Sequence, residues 1–144
     1  MGLSEKFEDA LNLFCGEKIG CGIHREVFEC KIREDLVVKV ERGDNERNFA
    51  NVFEDNFWAA NSEYKDVAVW LAPCVMLSPD GMILLQKRCD PVPKNYKLPA
   101  KIPEFLTDRK ISNFGIYEGR LVCVDYAITI MNPSIKLTKS EFWT

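Results

Sequence analysis

Two aspartates, an asparagine and a lysine carry the chemistry this chain could perform. Asp108 opens the stretch Asp108-Arg109-Lys110-Ile111-Ser112-Asn113, and Asp125 ends the apolar run Leu121-Val122-Cys123-Val124, twelve residues after Asn113. One carboxylate can take or orient a hydroxyl proton, while another, with an amide oxygen, can hold a hard divalent cation. Lys39 interrupts the apolar run Leu36-Val37-Val38-Lys39-Val40, where burial is costly unless the charge is paired. Gly20 and Gly22 flank Cys21 ahead of a β-like run, and backbone there can approach a ligand without side-chain obstruction. Each alone has an ordinary reading: a plain turn at the glycines, a lysine turned to solvent by strand alternation, an Asp cap with an Asn turn, and a strand-end Asp.

In this order the pieces resemble the nucleotide site of a protein kinase. Gly20 and Gly22 match the first two glycines of the Gly-rich loop, and Val27, five residues on, matches the valine that packs on adenine. The third glycine position falls on Arg25, which would either contact phosphate or block close approach. Lys39 matches the strand-borne lysine that holds the α- and β-phosphates and pairs with a helix glutamate, here Glu54, with Glu46 as the alternative. Asp108 and Asn113 match the D-x-x-x-x-N of the catalytic loop, and Lys110 matches the lysine that often contacts the transferred phosphate. Asp125 matches the metal-binding Asp of D-F-G, here Asp125-Tyr126-Ala127, and Leu106-Thr107 replaces the usual histidine before Arg-Asp. The resemblance implies ATP and Mg²⁺ as cofactors, with Asp108, Lys39 and Lys110 catalytic. Gly20, Gly22, Val27, Lys39 and Glu54 would bind the nucleotide, and Asn113 and Asp125 the metal. It implies an α+β, protein-kinase-like fold: a five-stranded antiparallel N-lobe sheet with one helix, plus a much reduced C-lobe.

The elements that would position these residues follow from periodicity. Ser4 to Cys15 reads as an amphipathic helix, with Phe7, Ala10, Leu11 and Phe14 on one stripe, Ser4 as cap and Gly16 as stop. Residues 18–20, 26–32 and 36–41 read as three strands of an antiparallel meander. Glu46 to Ala60 returns to helix, with Phe49, Val52, Phe53 and the Phe57/Trp58 pair on one side. Ala68 to Leu77 and Met82 to Lys87 read as strands around the turn Ser78-Pro79-Asp80-Gly81. Cys89 to Pro103 holds four prolines and no long helix. Residues 114–117 and 121–125 read as a hairpin turning at Glu118-Gly119, and the tail after Ile130 shows no clear pattern. As one kinase-like domain over 1–144, the chain divides into an N-terminal helix (1–15), an N-lobe (16–88) and a reduced C-lobe (89–144).

Composition bounds the partners. The 144 residues carry 19 basic and 22 acidic side chains, net −3, which argues against nucleic acid or an anionic membrane as the main partner. No apolar run reaches the length of a membrane span, and the N-terminus lacks the apolar stretch of a secretory signal. The six cysteines are scattered without C-x-x-C, which reads as reduced thiols in a cytoplasmic protein and not as disulfides or a zinc site. His24, the single histidine, falls at the glycine-loop tip as an exposed residue, and Trp58, Trp70 and Trp143 read as core or partner surface.

Twenty residues separate Lys87 from Asp108, and 19 follow Asp125, leaving no room for the helices that hold a protein substrate. The expectation is a miniature kinase of the kind a compact genome such as a phage would carry, acting on a protein or on itself. The alternative is a pseudokinase that works by binding a partner protein. A small-molecule kinase ranks last, because that type carries a larger C-lobe.

Overall fold

A computed structural model describes residues 2–22, 24–42, 48–128, 133–139 and 143–144, with side chains from Glu8 onward. The expected cap at Ser4, the side chain of Phe7 and the alternative Glu46 lie outside the described residues. The chain forms two compact units, Met1–Val52 with Cys74–Arg88, and Phe53–Pro73 with Cys89–Thr144.

The first unit is a helix on a sheet. Helix α1 (Gly2–Phe14) leads into β1 (Cys15–Cys21), β2 (Glu26–Cys30) and β3 (Leu36–Val40), and β4 (Cys74–Leu77) and β5 (Ile83–Lys87) complete the sheet. All neighbours are antiparallel, in the order β1-β2-β3-β5-β4. Alternation along β3 sends Leu36, Val38 and Val40 to one face, where they bury with Leu11 of α1 and Cys30 of β2. Cys15, Phe28, Ile83 and Leu85 pack around them. The β4–β5 turn closes as its residues require: Gly81 takes φ 74, and the Ser78 hydroxyl accepts from the Ile83 N–H.

Helix α2 (Ala50–Asn61) begins later than its periodicity suggests. Phe49 adopts a left-handed φ of 58, which breaks the helix before Ala50. The carboxylate of Glu41, just past β3, accepts from the N–H groups of Asn48, Ala50 and Asn51 and so supplies the helix cap. The buried stripe is also rotated from the expected one: Ala50, Asn51, Glu54, Phe57 and Asn61 are buried, whereas Phe49 and Phe53 are exposed. Polar residues take the inner face because hydrogen bonds receive them there.

The second unit is built around aromatic packing. The Phe57 ring centroid lies 5.8 Å from that of Phe105 and 6.1 Å from that of Tyr126. Two short ribbons frame it. Strand β6 (Lys101–Pro103) pairs with β9 (Leu137–Lys139), and β7 (Phe114–Tyr117) forms a hairpin with β8 (Arg120–Cys123). Glu118 and Gly119 both have positive φ, 50 and 78, the conformation a two-residue hairpin turn demands. Gly115 is required sterically, since a Cβ there would sit 2.8 Å from the Cys89 Cβ. The expected strand over Ala68–Leu77 is corrected. Lys65–Ala68 is a short helix, α3; Leu71 then bridges Cys123 in parallel, and only Cys74–Leu77 pairs with β5. The apolar run serves two different partners in succession, and this breaks its continuity as a strand.

Candidate functional site

Sheet register places one group of candidates. Gly20 lies opposite Val27, Val27 opposite Lys39, Lys39 opposite Leu84, and Leu84 opposite Leu77. Directly paired residues share a face, so Gly20, Val27 and Lys39 form one row across the sheet, on the face away from α1. Lys39 is 3% exposed, which removes the solvent-facing reading. A Cβ added at Gly20 would meet the Val27 side chain at 3.5 Å, and one at Gly22 only the Arg25 carbonyl at 3.9 Å. The protein's own packing therefore requires glycine at neither position.

Arg25 is itself held in place. It is buried, and its guanidinium donates to the Asn51 side-chain oxygen at 3.2 Å, while its carbonyl accepts from the Gly22 N–H at 2.8 Å. Asn51, fully buried, donates its amide to the carbonyls of Lys39 (3.1 Å) and Met82 (3.0 Å). One asparagine thus ties the glycine loop, the lysine strand and the residue that leads into β5 to the start of α2. Below the loop, Glu26 is held under the usual carboxylate range by the hydrogen bond from Lys18 and then that from Arg42, each at 2.9 Å.

Backbone hydrogen bonds place the second group, in the second unit. Phe114 pairs with Cys123, so Asn113 and Val124 meet just beyond the open end of the β7–β8 hairpin, where the Val124 N–H donates to the Asn113 carbonyl at 2.7 Å. Two residues on, the Tyr126 N–H donates to the Glu54 carboxylate at 2.7 Å. Glu54 is fully buried, and the Tyr126 hydroxyl anchors on the Ala72 carbonyl. Asp125 is exposed between these two fastenings. A 3-10 turn over Ile111–Asn113 brings in the rest. The Asn113 N–H donates to the Lys110 carbonyl at 2.9 Å, and the Lys110 N–H lies 3.4 Å from an Asp108 carboxylate oxygen. Asp108 and Lys110 are exposed.

The structure therefore brings Gly20, Val27 and Lys39 together in the first unit, with Gly22 in the loop beyond them. In the second it gathers Glu54, Asp108, Lys110, Asn113 and Asp125. Sequence reasoning missed Asn51 and Glu41, and it weighed Arg25 at the glycine loop without the Asn51 side chain that anchors it. The available signal was an Asn and a Glu at positions that an amphipathic pattern would give to apolar residues.

Among the described residues no cluster of three or more His, Cys, Asp or Glu forms a metal cage. Asn113 and Asp125 are brought near each other by the bond from the Val124 N–H to the Asn113 carbonyl, and one or two protein ligands are the number that Mg²⁺ takes beside phosphate oxygens. A pocket of about 460 Å³, lined by Ala60, Asn61, Tyr64, Asp66, Val67, Pro133 and Ile135, contains none of the candidates. No helix among the described residues is long and apolar enough to cross a membrane. No protein-family model matches the chain, and no curated protein matches it.

Proposed function

We propose that this chain is a miniature protein-kinase-like protein that binds ATP with Mg²⁺ and transfers a phosphoryl group to a protein or to itself. The observation that carries the reading is the grip on residues 124–126. Glu54 and Asn113, distant in sequence, fasten the backbone on either side of Asp125. The antiparallel five-stranded sheet, with α2 in the β3–β4 connection, and the row Gly20-Val27-Lys39 support it.

In this reading Gly20 and Gly22 leave room for the triphosphate, Val27 offers an apolar surface to the base, and Lys39 counters phosphate charge. Glu54 serves as the helix glutamate of the nucleotide site. Asn113 and Asp125 hold the metal, which supplies charge neutralisation on the phosphate oxygens. Asp108 orients the incoming hydroxyl and accepts its proton, and Lys110 meets the charge of the moving group. Asp108 and Lys110 are exposed, which suits slow turnover, autophosphorylation or completion of the site by a partner protein.

Two measurements test this. ATP with Mg²⁺ at about 100 times its dissociation constant should add ~2.7 kcal/mol of stability and raise Tm by several degrees. Labelled ATP should leave phosphoprotein detectable by mass. A melting curve unmoved up to millimolar ATP would overturn nucleotide binding.

Arg25 favours a second reading. A fixed, buried arginine at the third glycine position stiffens the loop, as suits a pseudokinase that acts by binding a partner protein. ATP-dependent stabilisation without any phosphoprotein would select it.

A further inference from the structure

None of the six cysteines is joined in a disulfide, but they are not equivalent. Cys21 lies opposite Glu26, Cys74 opposite Gln86 and Cys123 opposite Phe114, and Cys89 lies outside the named strands. Cys15 alone lies directly opposite another cysteine, Cys30, where β1 meets β2. One step outside this pair, the Lys31 N–H donates to the Phe14 carbonyl at 2.8 Å. In an antiparallel ladder a bond at that step makes Cys15 and Cys30 a non-hydrogen-bonded pair, the type whose side chains approach most closely. Such pairs have Cα atoms about 4.5 Å apart, inside the range of about 4.4–6.8 Å that a disulfide spans. Both side chains belong to the α1-facing layer, Cys30 buried in the core and Cys15 packed against it.

We propose that Cys15 and Cys30 are an oxidative modification site, a dithiol that a peroxide converts to a cross-strand disulfide. The half-buried Cys15 reacts first. Its sulfur attacks one peroxide oxygen, the O–O bond breaks, and sulfenic acid forms with release of water. The Cys30 sulfur then displaces the hydroxyl from the Cys15 sulfur, the S–S bond forms, and a second water leaves. Overall two thiols lose two electrons and two protons to one peroxide. Burial, followed by the neighbouring Cys30, raises the Cys15 thiol above its ordinary range. The thiolate is therefore scarce near neutral pH, so the attack on peroxide is slow there and quickens as pH rises.

The resulting ring contains all of β1, the Gly20-Cys21-Gly22 segment and β2. Oxidation staples the base of the hairpin that carries the glycines, and it joins the end of α1 to the sheet. This inference does not depend on nucleotide binding.

The test uses the full chain, treated with hydrogen peroxide, alkylated under denaturing conditions without reductant, digested and mapped by mass. The expected result is a peptide linking Cys15 to Cys30, with Tm raised by several degrees over the reduced protein. Cys15→Ser should abolish both changes. Because its side chain is only half-buried, this variant keeps the core intact, and the linked peptide is in any case read in the unaltered protein. Full alkylation of Cys15 and Cys30 after peroxide treatment overturns the proposal, as does a predominant link from either one to Cys21.

Discussion

The row across the sheet and the open end of the β7–β8 hairpin hold the candidate residues in opposite ways. Lys39 is buried in the middle strand of the sheet, and its place is fixed by register with Val27 and Leu84. Asp108, Lys110 and Asp125 are exposed, and their places are fixed by a few backbone hydrogen bonds. A row fixed by strand register has little freedom, which suits the proposed role around a charged ligand. An exposed turn can lose a side chain with little cost in packing, which suits a part that touches an incoming acceptor. The difference teaches that damage to the row should mix stability with binding, whereas damage to the hairpin end should remove function alone.

The sharpest way to break this contrast is Asp108→Ala. If the chain transfers phosphate, the rate should fall by about 10²–10⁴-fold with ATP affinity and Tm nearly unchanged. Equal residual rates in both proteins would place the chain among partner-binding pseudokinases. Within the first unit, on the sheet face that packs against α1, Leu36→Ala should cost about 2–5 kcal/mol in denaturant unfolding, with ATP affinity of the folded fraction retained. Lost affinity at full folding would show that the two faces are not separable. Lys39→Met should remove the ATP-dependent gain of ~2.7 kcal/mol while the folded spectrum persists. An undiminished gain would take Lys39 out of the site.

The smallest effect concerns pH. Lys18 and Arg42 lower the Glu26 carboxylate in the folded protein. A depressed carboxylate contributes stability above its unfolded range, and that contribution is lost as pH falls through the folded value. Glu26→Gln should therefore lower stability near neutral pH by under about 1 kcal/mol and make acid unfolding less steep. A variant equally steep in acid would show that this pair contributes nothing.

How far these features were legible depended on whether neighbours in sequence determined them. The three-strand meander, the turn at Ser78–Gly81 and the hairpin at Glu118-Gly119 are local, and alternation with turn chemistry located them. Strand β9 has only three residues and pairs with Pro103, Ile102 and Lys101 some thirty-five positions earlier, so no local pattern marked it. The start and face of α2 were misjudged because a carboxylate from beyond β3 caps the helix and polar side chains fill its inner stripe. The candidate residues were visible as types and spacings. Their assembly into a row and a hairpin end rests on strand register and on remote hydrogen bonds, neither of which is written in any one segment.

Asn51 has a consequence for how the protein assembles in time. Its three side-chain hydrogen bonds reach partners 26, 12 and 31 residues away, so the set is not complete until the loop, the third strand and the residue that leads into the fifth have all docked. Interactions of that kind form after the rate-limiting step of folding, and their loss falls on the escape rate from the native state. Asn51→Ala should leave refolding nearly as fast as in the parent chain and accelerate unfolding. A slowed refolding limb in stopped-flow denaturant jumps would instead make this asparagine part of the folding nucleus.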